Sequence, residues 1–152
     1  MKRNVWIPAP LFKKILASVP VPTIDFVIVR KSKGKKEFLL GKRANKPFRG
    51  RWFIIGGHIL WGETLDQAVK RQFKKELGFI PKNYQFLFIY SLINPPGNLG
   101  VPYNSILHIY QINLADKEKF HLNSENSELK WFSKIQKDFP KAVAEILKQS
   151  GL

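Results

Sequence analysis

The stretch from Gly56 to Gly78 constrains the fold more than any other part of the chain, because it spells out a strand, a loop and a helix with their boundaries marked. Residues 52–55 are bulky and apolar and read as a strand, stopped by the pair Gly56-Gly57. Thr64, with Gln67 three residues later, has the form of a capping box, in which each partner satisfies an N–H that the first helical turn leaves without a carbonyl. Leu65, Ala68, Val69, Phe73 and Leu77 then recur at helical spacing and form one apolar stripe. Gly78 suits the position just past the helix end, where the backbone turns left-handed. On the same helix Gln72, Lys75 and Glu76 stand at i, i+3 and i+4, and therefore on one face.

The rest of the chain supplies a sheet for this helix. Leu11, Phe12, Ile15, Leu16 and Val19 predict a short amphipathic helix between Pro10 and Pro20. Residues 23–29 read as a buried strand containing one acid, Asp25, and an unpaired carboxylate there is costly, so Asp25 is either paired or faces a cavity. The lysine-rich run 31–36 reads as a solvated turn, followed by a return strand over 38–43 and a loop over 44–51. Two further strands are expected over 85–93 and 105–113, joined by a loop through Pro95 and Pro96 long enough to cover a site. A last short strand falls at Lys130, Trp131 and Phe132, and a C-terminal helix over 142–147. The resulting class is α+β, a mixed sheet with helices on either side.

Length and composition narrow the function. The 152 residues fit one domain, taken to span 1–152. There are no cysteines, which excludes disulfides, thiolate metal sites and cysteine nucleophiles, and fits a cytoplasmic protein. The apolar runs are strand-sized, far short of the about 20 residues a membrane helix needs. The basic start Met1-Lys2-Arg3-Asn4 is followed by Pro8, Pro10, Lys13 and Lys14 and lacks the pattern of a signal peptide. A net charge of +15 favours phosphorylated ligands, but no nucleic-acid motif accompanies it, so nucleic acid is not the expected partner.

Reading on from Gly57, Glu63 follows after five residues, Arg71 after seven more, and Glu76, Gly78 and Phe79 complete the run. This resembles the Nudix box, G-x5-E-x7-R-E-U-x-E-E-x-G-U, where U is a bulky apolar residue. The resemblance implies the Nudix fold, a mixed sheet sandwiched between helices. Gln72 and Lys75 stand where the box carries glutamates. Three carboxylates on that face would hold several Mg²⁺ or Mn²⁺ ions; one carboxylate, one amide and one ammonium support a single hard cation at best.

The run from Asp25 to Val29, the segment Phe38-Leu39-Leu40-Gly41-Lys42-Arg43, then Asn45, Pro47, Gly50, Trp52 and Phe53 look like GDP-mannose mannosyl hydrolase. That subfamily also lacks the first two glutamates and uses one Mg²⁺ (or Mn²⁺) to displace GDP from the sugar carbon. The resemblance implies Glu76, the Gly56 carbonyl and Glu125 as metal ligands, with Arg43 and Arg71 neutralising the leaving diphosphate. It places Asp25 and His58 near the nucleotide sugar, and Tyr103, beside the 94–104 loop, is a further substrate-binding candidate. It also implies a homodimer.

One position departs from the subfamily. Its general base is a histidine, and Asn126 stands there; an amide accepts no proton from water at useful pH. Three outcomes remain open. Glu125 or Glu128, or else His121, takes over as base; the register is shifted; or the protein binds without efficient turnover. Glu63 and Arg71 also admit a purely structural reading, joining loop to helix. The alternatives to a GDP-mannose hydrolase are a Nudix hydrolase cleaving the diphosphate of another nucleotide derivative and a catalytically impaired binding protein.

Overall fold

The computed structural model describes residues 7–152; the start Met1-Lys2-Arg3-Asn4 lies outside the described residues. In chain order the elements are α1 (Ala9–Ser18), β1 (Val21–Ser32), β2 (Lys35–Arg43), β3 (Trp52–Phe53), β4 (Ile55–His58), α2 (Leu65–Leu77), β5 (Tyr84–Asn94), β6 (Tyr103–Leu114), β7 (Asn126–Phe132) and α3 (Lys141–Gln149). The strands form one mixed sheet with the path β3-β2-β1-β6-β5, to which β4 adds on β1 and β7 on β2. β1 is paired antiparallel to β2 and parallel to β6, where Val21 meets Ser105 and Arg30 meets Leu114.

Alternation along β1 sorts its side chains to two faces. Ile24, Phe26 and Ile28 join Leu39, Ile55, Tyr110 and Ile112 against the α2 stripe of Ala68, Val69, Phe73 and Leu77. The Phe73 ring meets Phe26 and Phe79 edge-on, each at 5.3 Å between centroids. On the opposite face Val27, Val29, Leu40, Leu107 and Ile109 pack with Val143, Ile146 and Leu147 of α3. α3 occupies only part of that face. Thr23 and Asp25 of β1, Ser105 of β6 and Asn94 of β5 continue the same rows and instead line a cleft.

Two expectations are corrected. The pair Gly56-Gly57 does not end a strand: it lies within β4, with Asp25 opposite Gly56 and Ile24 opposite Gly57. The glycines are there because neighbours come too close for a side chain. A Cβ on Gly56 would overlap the Asp25 carboxylate, and one on Gly57 the Gln72 amide. The lysine run is also mostly strand, with β1 and β2 extending to Ser32 and Lys35 and leaving Lys33 and Gly34, both at positive φ, as the hairpin turn.

β5 forms the outer strand on its side of the sheet. Residues 83–115 contain no Lys, Arg, Asp or Glu, and Phe86, Ile89 and Ile93 of β5 are exposed. No helix among the described residues is long and apolar enough to cross a membrane.

Candidate active site

The cleft has a volume of about 320 Å³ and lies between β4, the buried side of α2, the end of β2 and the uncovered part of the sheet. Asp25, Arg43, Gly56, His58, Arg71, Glu76, Tyr103 and Glu125, the residues expected to bind metal or substrate, line it. Asn126 does not. It opens β7 opposite Arg43, and its amide lies over Gly41 on β2. The substitutes fare unequally. Glu128 is exposed and paired with Lys42; His121 sits against Gly78 beyond the end of α2; neither lines the cleft, whereas Glu125 does.

α2 is held at its N-terminus as its sequence dictates. Thr64 Oγ1 accepts from the Gln67 N–H at 3.2 Å, and Gln67 Oε1 accepts from the Thr64 N–H at 2.9 Å. Gly78 closes the other end at φ 92°, a conformation that favours glycine. Glu63, just before the cap, accepts from the Leu60 N–H at 2.9 Å and is clasped by Arg71 through Nε and Nη2. Arg71 also donates to the His58 carbonyl at 2.9 Å and to Gln72 Oε1 at 2.8 Å. Four bonds from a group with five N–H donors make Arg71 a joint between loop, strand and helix. Burial alone would raise the Glu63 pKa, but the Arg71 and Leu60 donors outweigh it and hold the carboxylate below its ordinary value.

Gln72 and Glu76, one turn apart, are 2% and 3% exposed. Gln72 Nε2 donates to the Gly56 carbonyl at 3.0 Å and to Glu76 Oε1 at 2.7 Å. Asn123 Nδ2 donates to Glu76 Oε2 at 2.7 Å, and its Oδ1 accepts from the Glu125 N–H at 3.0 Å. The Glu125 carbonyl accepts from Ala44, next to Arg43, and its carboxylate faces Lys75 Nζ at 3.6 Å. Burial pushes the Glu76 pKa up, against the pull of Asn123 and Lys75.

Two of the three expected metal ligands therefore converge on one point, and the third lies in the same cleft. Their donors are all oxygens, two of them anionic, which suits one hard cation. Among the described residues no group of three or more His, Cys, Asp or Glu is placed to hold a metal; the cleft lacks the carboxylate cluster that a full box would present.

Beyond Arg43, whose Nε is anchored on the Pro47 carbonyl at 2.9 Å, the floor changes character. Asp25 is buried and receives the Thr23 hydroxyl. Burial pushes its pKa up to about 7, with the Thr23 bond and the Arg43 charge opposing. Asn94 Nδ2 donates to Ser105 Oγ at 2.9 Å. Phe48, at φ 64°, lies 4.8 Å from Phe53 in a stacked pair at the same end. Desolvation of the His58 ring, which meets Phe12 edge-on at 5.6 Å, followed by the charge of Lys75, keeps its pKa below the usual histidine value. The reading from sequence missed Asn94, Ser105, Phe48 and Asn123. Asn94 closes β5 and Ser105 lies near the start of β6, but both strands hold several other polar residues, so neither stood out, and Asn123 offered no signal.

A sheet flanked by helices, with one helix carrying a carboxylate and an arginine against a glycine-lined strand, defines a Nudix-type cleft. The model of the NUDIX domain matches residues 20–148, and the chain belongs to that family. It is 40% identical over 72 residues to an ADP-ribose pyrophosphatase of Methanocaldococcus jannaschii, covering 47% of this chain and 40% of that protein. It is 43% identical over 77 residues to a low-salt glycan biosynthesis protein of Haloferax volcanii, covering 51% of this chain and 47% of that protein. The match thus spans less than half the length of either relative. The NUDIX domain of NrtR from Shewanella oneidensis, solved with ADP ribose, superposes with a TM-score of 0.72 at 20% identity over 99% of this chain and 97% of that one, a likeness of fold.

Proposed function

We propose that the protein, as a single domain, hydrolyses a nucleoside diphosphate sugar, GDP-mannose or a close GDP-hexose, by displacement at the anomeric carbon. The observation that carries this reading is the make-up of the cleft lining. Glu76, 3% exposed, shares it with Glu125, Arg43 and Lys75, and with the hydroxyl, amide and carboxyl groups of Thr23, Asp25, Asn94 and Ser105 and the rings of Phe48 and Tyr103. A diphosphate suits the cationic groups and a sugar or base the polar and aromatic ones. A box reduced to one carboxylate supports one ion, which is too little for the multi-ion attack on phosphorus that the full box serves.

Glu76, the Gly56 carbonyl and Glu125 would hold one Mg²⁺ or Mn²⁺, which when bound supplies positive charge beside the diphosphate. Arg43 stabilises the charge that accumulates on the β-phosphate as the sugar–oxygen bond breaks. Glu125 is the carboxylate available to take a proton from the attacking water, since Asn126 lies outside the cleft. Asp25, poised near neutrality, accepts or donates a hydrogen bond to a ligand hydroxyl. Arg71, with most of its donors committed, holds the frame rather than the phosphate. The expected homodimer is supported by the charge-free outer strand β5, whose exposed Phe86, Ile89 and Ile93 leave an edge without the charges that discourage pairing.

Incubation with GDP-mannose in ¹⁸O-water tests the reaction. GDP and mannose, with the label in mannose, are expected. GMP and mannose 1-phosphate would instead establish attack at phosphorus, the second reading, which the likeness to an ADP-ribose pyrophosphatase favours. Tight binding with no turnover in Mg²⁺ or Mn²⁺ would leave a binding protein.

A further inference from the structure

We propose that Gln72 sets the cation affinity of this cleft: its amide nitrogen stands at the point where the Gly56 carbonyl and Glu76 converge, so a divalent ion binds only by displacing it. The inference rests on the one-ion reading above and concerns the site before any substrate arrives.

The orientation of the amide is fixed by its neighbours. Arg71 Nη1 donates at 2.8 Å, so the atom facing it is the oxygen. Arg71 cannot swing away, because Glu63 grips it twice and the His58 carbonyl holds its far nitrogen. The NH₂ group is thereby turned toward Gly56 and Glu76, and its two hydrogens are both spent, at 3.0 and 2.7 Å. Both Glu76 oxygens are hydrogen-bonded, since Asn123 donates to the other at 2.7 Å. Among the described residues no buried side-chain nitrogen or oxygen is left without a hydrogen-bond partner. Two amide dipoles thus do for Glu76 what an ion would do. Gly57 makes the arrangement possible, because any side chain there would overlap the Gln72 amide.

The consequence is a site complete without metal. A cation entering between Gly56 and Glu76 gains two oxygen ligands and breaks two hydrogen bonds, and the net affinity is reduced by that exchange. A glutamate at position 72 would reverse the situation. Its inner oxygen would face the Gly56 carbonyl and the Glu76 carboxylate, a repulsion that a proton or a divalent cation would relieve.

Mn²⁺ titration followed by the EPR signal of the free ion, on the wild type, Gln72→Ala and Gln72→Glu, tests this. Thermal melts in chelator and in Mn²⁺ accompany it. Gln72→Ala is expected to bind Mn²⁺ roughly tenfold tighter than the wild type, since the competing donor is gone. Gln72→Glu is expected to bind tighter still and to melt at a temperature that rises on adding Mn²⁺, while the wild-type melt barely moves. Gln72→Glu keeps the size of the side chain and carries the test should the alanine variant not fold. Unchanged or weaker Mn²⁺ binding in the variants overturns the inference. Absence of Mn²⁺ binding to all three at millimolar concentration overturns it together with the one-ion reading. The expected Mn²⁺ pattern without turnover of GDP-mannose overturns the proposed reaction alone.

Discussion

Glu63 and Glu76 sit at opposite ends of α2, and their surroundings pull their protonation in opposite directions. Glu63 precedes the cap and is clasped by Arg71 and the Leu60 N–H, which hold its pKa down. Glu76 lies in the last turn, 3% exposed, where burial drives its pKa up and the Gln72 and Asn123 amides donate to it. The N-terminal half of the box thus works as a girder, and all its positions match the family pattern. The C-terminal half is where the family pattern carries three glutamates, and two of them are replaced by Gln72 and Lys75. The two halves meet at Arg71, which holds Glu63 on one side of its guanidinium and Gln72 Oε1 on the other.

The largest expected effect falls on the chemical half. Glu76→Gln should lower kcat/KM on the true substrate by roughly a thousandfold, about 4 kcal/mol of lost transition-state stabilisation. A variant that keeps wild-type turnover would remove Glu76 from the chemistry. Next comes the girder: Arg71→Ala leaves Glu63 and Gln72 Oε1 without their donor and should cost about 2–3 kcal/mol, lowering the Tm by roughly 6–9 °C in a calorimeter. Thr64→Ala removes one side of the capping box and should cost about 1 kcal/mol, with Mn²⁺ affinity unchanged. If it alters that affinity, the two halves are coupled.

The smallest effect is a pair of slopes. The Glu63 pKa is depressed in the fold, so its stabilisation is present above the ordinary carboxylate value and lost as pH falls. The penalty of Glu63→Gln should therefore shrink on acidification. The Glu76 pKa is raised, so the folded state binds its proton more tightly and ionising it costs stability as pH rises past the ordinary value. Relative to metal-free wild type, Glu76→Gln should therefore gain with rising pH. Urea melts from pH 4 to 8 compare the two, and slopes of the same sign would undo the contrast.

Much of this was legible in the sequence. Local signals bounded α2: Thr64, Gln67 and Gly78 each act within a turn of where they stand. The box spacing then carried the fold, and eight of the residues named from sequence line the cleft while Asn126, Glu128 and His121 do not. What failed was long-range. Gly56 and Gly57 looked like a stop because glycine disfavours strands; the approach of Asp25 and Gln72 that demands them comes from β1 and α2. Asn94 and Ser105 matter because α3 covers only part of its face, which no local pattern reports. Gln72 was read as a missing ligand, and its bonds to Gly56 and Glu76 required the packed helix.

The parallel pairing of β1 with β6 has a kinetic consequence. Val21 finds Ser105 only after most of the chain has been made, and closing so large a loop is entropically slow. Until then β1 has hydrogen-bonding partners on one side alone, and the floor that joins Thr23 and Asp25 to Ser105 does not exist. Refolding experiments should therefore see ligand affinity return in the final phase, together with the last of the amide protection in β1.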